Sequence, residues 1–171
     1  SLDLIIVGTI SPDYPFPSAA SLVQRHIGAK NAFCFDVAAA CAGSLYAMSV
    51  GDKFIQSGTV KRALVMGAEM LTRITDWKDR NTCVLFGDGA GAMLLEASPD
   101  DSGILSSHLF TDGTQTEILL MPGGGSKNPI SHKVVDENMA NIKMNGREVY
   151  KFAVRALVDA MEVALKANNL K

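Results

Sequence analysis

The sequence predicts an α/β fold, and three observations carry that prediction. Short apolar runs, Leu4 to Gly8 and Arg62 to Ala68 with its Ala63-Leu64-Val65-Met66 centre, read as strands buried on both faces. Longer segments, Ser44 to Gln56 and Gly146 to Asn168, repeat apolar residues at helical spacing. The two kinds of segment interleave along the chain, which is the order that builds a sheet covered by helices.

The elements follow in order. Thr9 to Pro17 is a loop, because Pro12, Pro15 and Pro17 block regular structure. Ser18 is an N-cap, and Ala19 to His26 a short helix that Gly28 ends. Ala32 to Val37 is apolar and β-prone, hence a strand. Ala38-Ala39-Ala40-Cys41-Ala42-Gly43 then leads into the Ser44 to Gln56 helix, closed by Gly58 and apolar on most sides. Met70 to Arg80 is irregular and polar. Thr82 to Phe86 and Ala90 to Glu96 are expected to be strands, with Gly87-Asp88-Gly89-Ala90-Gly91 between them. Gly103 to Phe110 alternates and is expected to be another strand. Asp112 to Asp136, with Gly123-Gly124-Gly125, is expected to be a long loop of the functional or mobile kind. On the final helix, two adjacent apolar stripes leave only a narrow polar face.

Composition narrows the function. The 171 residues are 47% hydrophobic and 20% charged, enough for a real core. A net charge of −2 offers no sign of nucleic-acid binding. Cys34, Cys41 and Cys83 make an odd number with no CxxC pair, which argues for reduced thiols and a cytoplasmic location rather than a disulfide scaffold. His26, His108 and His132 lack metal-ligand spacing, so no metal is expected. No apolar run reaches the roughly 18 residues of a membrane span. The chain opens on Leu2-Asp3-Leu4-Ile5-Ile6-Val7 with no charged region ahead of it, so no secretory leader is expected. A buried strand at the start has no earlier element to pair with, and a final helix at Leu170-Lys171 calls for a further strand. Both ends are therefore expected to fall inside a larger fold.

Cys41 is the residue around which chemistry can be built. It follows a strand, sits among small residues and precedes a buried helix. Unpaired N–H groups and the positive end of the dipole at a helix start stabilise a thiolate. The alanines and Gly43 leave room for a substrate and for a strained turn, and outward N–H groups there can stabilise an oxyanion. A cysteine among alanines also fits a small buried core side chain, and the residues alone leave both open. Cys34 and Cys83 are expected mid-strand, as core. Gly87 to Gly91 is G-D-G-A-G before a strand, not the G-x-G-x-x-G before a helix that marks a dinucleotide site. These glycines are expected to let backbones pass close to the cysteine.

The stretch from Phe35-Asp36-Val37-Ala38-Ala39-Ala40-Cys41-Ala42-Gly43-Ser44 to Met48 closely resembles the active-site segment of the β-ketoacyl-[acyl carrier protein] synthase III family. Tyr14-Pro15-Phe16-Pro17-Ser18-Ala19-Ala20 resembles that family's dimer-interface loop. Asp79-Arg80-Asn81-Thr82 with Phe86-Gly87-Asp88-Gly89-Ala90-Gly91-Ala92 resembles its glycine-rich segment. Met144-Asn145-Gly146-Arg147-Glu148-Val149-Tyr150-Lys151 resembles the start of a helix in its C-terminal half. The matches run in order over essentially the whole chain.

The resemblance implies a thiolase-like α/β fold of two similar halves. Residues 1–98 would be the latter part of the N-terminal half and residues 99–171 the first part of the C-terminal half. It implies an acyltransferase that moves an acyl group from acyl-CoA to Cys41 and condenses it with malonyl-acyl carrier protein, starting fatty-acid biosynthesis through a thioester. Acyl-CoA would be substrate, with no covalently bound cofactor. The implied partners are acyl-CoA, malonyl-acyl carrier protein and a second copy in a homodimer, with neither nucleic acid nor membrane. Carried over position by position, Cys41 is the nucleophile, and Phe16 reaches the partner's acyl pocket. Leu71, Leu85, Phe86 and Met144 line the acyl tunnel. Arg80 meets the CoA adenine end, and Gly146, Tyr150 and Lys151 surround the pantetheine mouth. Without the resemblance, Phe16 reads equally as a packing aromatic, and Arg80 and Lys151 as solvated charges.

The family's catalytic His and Asn motifs are absent, and His108 and His132 do not sit in matching sequence. The chain is thus expected to be a central fragment that cannot complete the condensation. A CoA-dependent, polyketide-type acyltransferase of the same superfamily, or a non-catalytic fragment, are the alternatives.

Overall fold

A computed structural model describes residues 1–100 and 102–171. The chain divides into two compact units. The first comprises Ser1–Met70 with Asp88–Leu105, and the second Leu71–Gly87 with Ser106–Lys171.

The first unit is built on β1 (Leu4–Gly8), α1 (Ala19–Ile27), β2 (Phe33–Val37), α2 (Gly43–Gln56), β3 (Arg62–Met70) and β4 (Asp88–Glu96). The sheet order is β2-β1-β3-β4. β1 pairs in parallel with both neighbours, Leu4 lying opposite Phe33 on one side and Ala63 on the other. β4 runs antiparallel to β3. The opening strand thus takes both of its partners from later segments and occupies the middle of the sheet. The earlier strand expected to pair with it is not what satisfies its backbone.

Strand side chains alternate between faces, and here each face has its own cover. Leu4 and Ile6 join Ala47, Val60, Ala63 and Val65 in one cluster, against which Met48 and Phe54 of α2 pack. Ile5 and Val7 join Ala20 and Ala32 in another, with Val23 of α1 against it. Leu4, Ile5 and Ile6 are 0% exposed, and burying each such side chain stabilises by roughly 1.5–3 kcal/mol. α1 has the expected ends. The Ser18 side chain accepts the Ser21 N–H, and Gly28 closes the helix in the left-handed region at φ 67°.

The second unit departs more from expectation. Thr82 to Phe86 is a series of turns, not a strand. Asp79 organises it. Its backbone oxygen accepts the N–H groups of Thr82 and Cys83, at 3.1 and 3.0 Å. Its carboxylate accepts the Asn81 N–H at 3.0 Å and the Thr82 hydroxyl at 3.1 Å. An Asp side chain bonding to nearby backbone competes directly with a sheet ladder. Gly103 to Phe110 also forms no strand, because alternation alone makes no ladder without a paired neighbour.

The expected 112–136 loop contains structure. Asp112 caps a 3-10 turn over Gly113–Ile118, followed by β5 (Leu119–Leu120) and α3 (His132–Asp136), which Ser131 caps. β5 pairs with β6 (Lys143–Met144). α4 (Gly146–Ala167) starts at Asn145, whose side chain accepts the Glu148 N–H, and it has no buried residue. Among the described residues, no helix is long and apolar enough to cross a membrane.

Candidate functional site

The site begins with a contact that only glycine allows. A Cβ added to Gly8 at the end of β1 would stand 2.3 Å from the carbonyl carbon of Gly43, the first residue of α2. One added to Gly67 of β3 would stand 2.8 Å from the Ser44 Cβ. The first turn of α2 therefore lies directly on the backbones of β1 and β3. The chain enters that turn under strain. Ala40 has φ 45°, a left-handed conformation that costs an L-residue roughly 1–2 kcal/mol. Residues Ala40–Ala42 form a 3-10 turn, with Ala42 N–H donating to Ala39 O at 3.1 Å.

This tight path leaves Cys41 exposed, while Cys34 and Cys83 are half-buried. Of the two readings left open for Cys41, the buried core side chain is excluded. Cys41 borders a cleft of about 460 Å³ together with Gly8, Ser44, Gly67 and Glu69. Cys41 stands just ahead of α2, where free N–H groups and the helix dipole favour negative charge. The arrangement suits a sulfur nucleophile attacking a carbonyl whose oxygen gathers charge beside the turn.

The glycine-rich run behaves differently from expectation. A Cβ at Gly87, Gly89 or Gly91 would meet nothing within 4 Å, so these glycines mediate no close backbone passage. The close passages are at Gly8, Gly43 and Gly67. Gly89 and Gly91 belong to β4 and border the Cys41 cleft, where missing side chains leave the space bare. A strand, not a helix, carries these glycines, so the dinucleotide motif has no counterpart.

Phe16 stands in the loop after β1, 85% exposed. In the second unit, Leu85, Met144, Gly146 and Tyr150 border one cleft of about 1030 Å³. Asp79, Asn81 and Lys143 border it too. The Asn81 backbone N–H, helped by the Thr82 hydroxyl and the Lys143 charge, holds the Asp79 carboxyl below the usual carboxylate range. Leu71 and Phe86 are half-buried elsewhere, and Arg80 is exposed. Lys151 turns to Glu148 at 3.1 Å and lies in a separate depression with Phe152 and Arg155. Thus four of the anticipated substrate residues converge, while Arg80 and Lys151 do not join them.

Sequence reasoning missed Glu69 beside Cys41 and Lys143 beside Met144. Neither sits in a recognisable pattern. Asp79-Arg80-Asn81 did hold a usable signal, since Asp followed two residues later by a backbone donor makes a side-chain turn. Among the described residues, no group of three or more His, Cys, Asp or Glu could hold a metal.

Residues 35–113 match the family model for 3-oxoacyl-[acyl-carrier-protein (ACP)] synthase III. Over 171 residues the chain is 50% identical to a β-ketoacyl-[acyl-carrier-protein] synthase III of Chlorobium chlorochromatii, covering 99% of this chain and 52% of that one. The fold is similar to the crystal structure of 3-oxoacyl-[acyl-carrier-protein] synthase III from Aquifex aeolicus, with TM-score 0.87, 42% identity, and coverage of 99% of this chain and 50% of that one. It is also similar to the priming β-ketosynthase of the R1128 polyketide pathway, with TM-score 0.82, 30% identity, and coverage of 99% and 50%. The fold is therefore the expected thiolase-like α/β one, and the chain spans about half the length of the curated relatives it matches.

Proposed function

We propose, from the premise that this chain is in sequence and fold a relative of β-ketoacyl-[acyl-carrier-protein] synthase III, that Cys41 is its acyl-accepting nucleophile. The observation that carries this is the exposed thiol on the strained Ala40 turn, at the start of α2 and beside a cleft of about 460 Å³. The Cys41 thiolate attacks the thioester carbonyl carbon of an acyl-CoA. A new C–S bond forms, the bond to the CoA sulfur breaks, and CoA leaves as a thiolate that takes a proton. Backbone N–H groups at the α2 start offset the charge on the carbonyl oxygen. Splitting a difficult carbon–carbon bond formation through a thioester lowers each barrier.

In the whole enzyme the acyl group condenses with malonyl-acyl carrier protein. Carbon dioxide leaves, the resulting carbanion attacks the acyl carbon, and Cys41 departs as thiolate. This is the initiating condensation of fatty-acid biosynthesis. No His or Asn of this chain is assigned to that step. Phe16, Leu71, Leu85, Phe86 and Met144 are assigned to acyl contacts, and Arg80, Gly146, Tyr150 and Lys151 to CoA. The cleft shared by Leu85, Met144, Gly146 and Tyr150 supports the two groups meeting at one mouth. Residues 1–98 are assigned to the latter part of the N-terminal half, and residues 99–171 to the first part of the C-terminal half, of each subunit of a cytoplasmic homodimer.

The test is acylation. Incubated with radiolabelled acetyl-CoA, the chain should carry label on the Cys41 peptide and lose it in Cys41→Ser. A chain that takes iodoacetamide at Cys41 but no acetyl group would overturn the assignment. The similarity to a polyketide priming synthase favours one second reading, a CoA-dependent condensation. Preference for malonyl-CoA over malonyl-acyl carrier protein as acceptor would select it.

A further inference from the structure

The loop carrying Phe16 is held at both ends by carboxylates from strands of the sheet. At its start, both Glu69 oxygens accept the Ile10 N–H, at 3.0 and 3.3 Å. The Ser11 hydroxyl donates to Glu69 and itself accepts the Met70 N–H at 2.8 Å. Buried Thr9 completes this end, its hydroxyl accepting the Ser11 N–H at 3.1 Å. At the far end, the Asp36 carboxylate accepts the Ala19 N–H at 2.7 Å and the Ala20 N–H at 2.8 Å. Between these anchors lie three prolines and two exposed aromatics, Tyr14 at 56% and Phe16 at 85%.

A solvent-facing loop with two exposed aromatic rings has little packing of its own to fix its course. Charge-assisted hydrogen bonds to backbone N–H groups are the strong kind, and prolines narrow the conformations left in between. Glu69 also borders the Cys41 cleft. Glu69 thus borders the Cys41 cleft while its carboxylate holds the root of the aromatic loop.

We propose that Glu69 and Asp36 are positioning residues that clamp the loop of residues 10–19 and set where Phe16 is presented. Neither touches the reacting atoms. Each acts through the loop, Glu69 at its root and Asp36 at its return into α1. The consequence for acyl selection rests on the function proposed above, in which Phe16 contacts the acyl group. The clamp itself does not rest on it.

The experiment separates the two. In a Trp77→Phe background, Phe16→Trp provides a reporter whose time-resolved anisotropy reads the loop, and amide exchange reads the anchors. Glu69→Ala should speed exchange at Ile10 by about tenfold, equivalent to ~1.4 kcal/mol at 25 °C, and loosen the reporter. Exchange at Ile5 and Val65 should stay unchanged. Glu69→Gln should restore much of the order, because its amide oxygen still accepts the Ile10 N–H. Asp36→Ala should loosen the Ala19 end in the same way. In the Phe16 chain, the ratio of Cys41 labelling by short and long acyl-CoA should shift about tenfold in Glu69→Ala and recover in Glu69→Gln.

An unchanged reporter in both alanine variants overturns the clamp. A loosened reporter with an unshifted labelling ratio overturns the positioning role. Equal acceleration at Ile5 and Val65 also overturns it, as a global loss of stability. If the unsubstituted chain takes no acyl group from any acyl-CoA, the proposed function falls while the anisotropy still decides the clamp.

Discussion

β1 and α4 are both apolar segments, and they end in opposite circumstances. Leu4, Ile5 and Ile6 of β1 are 0% exposed, whereas no residue of α4 is buried, with Tyr150 at 71%, Leu157 at 63% and Met161 at 57%. α4 also carries a charged face, but its two apolar stripes favour burial as the β1 side chains do. β1 has a strand on each side and a helix on each face, so both of its side-chain rows find cover. α4 carries two apolar stripes that the rest of its own unit leaves exposed. An apolar pattern states which side chains favour burial. Whether they stabilise anything depends on neighbours that must arrive from elsewhere in the chain.

The widest separation is expected between core and helix truncations. Ile6→Ala should destabilise the chain by ~2–5 kcal/mol, and Leu157→Ala by no more than about 0.5 kcal/mol, both read from urea unfolding. Equal losses would break the comparison and show that the α4 stripe is covered in solution. Sedimentation would then identify self-association as the cover.

Glycines give the next contrast. Gly8→Ala forces a Cβ to within 2.3 Å of Gly43 backbone, and overpacking of this kind costs about 1–3 kcal/mol. It should also displace the α2 start and slow alkylation of Cys41. Gly91→Ala meets nothing within 4 Å and should stabilise by roughly 0.4–1 kcal/mol through a less flexible unfolded chain. A neutral Gly8→Ala would refute the glycine seat as the device that places Cys41.

The smallest expected effect is on pH dependence, to which Asp3 and Asp100 of the first unit and Asp79 and Asp112 of the second contribute; Asp3 and Asp79 serve as the test pair. The Arg62 and Lys61 N–H groups lower the Asp3 pKa, as the Asn81 N–H lowers that of Asp79. A lowered folded pKa means a contribution fully present above the unfolded value of about 3.9 and lost as pH falls below it. Asp3→Asn and Asp79→Asn should each flatten the fall in urea midpoint between about pH 5 and pH 2. A profile as steep as that of the unsubstituted chain would remove these groups from the acid response.

Most of the first unit could be read from its residues. Continuous apolarity marked β1 and β3, and Ser18 and Gly28 bounded α1, because caps and buried strands are properties of a few neighbouring side chains. The second unit was less legible. Thr82 to Phe86 looks β-prone, yet Asp79 folds it into turns. Gly103 to Phe110 alternates, yet has no ladder. In both cases the decision lies with hydrogen-bond partners that a local pattern does not name. The small residues around Cys41 singled it out without deciding its role, and Glu69 gave no signal at all, since a lone carboxylate near the end of a strand has no signature.

The sequence by itself determined the α/β class, the elements around Cys41 and the small residues that make a tight turn possible. These follow from periodicity and side-chain size, which are local. Only the tertiary structure decided that Gly8 and Gly43 meet backbone to backbone, that Ala40 takes the left-handed turn, and that Glu69 faces both the Cys41 cleft and the aromatic loop. It also corrected the role of Gly89 and Gly91 from close packing to open space. Apart from the Ala40 dihedral, these are relations between residues far apart in sequence, and they exist only once the sheet has brought β1, β3 and β4 side by side.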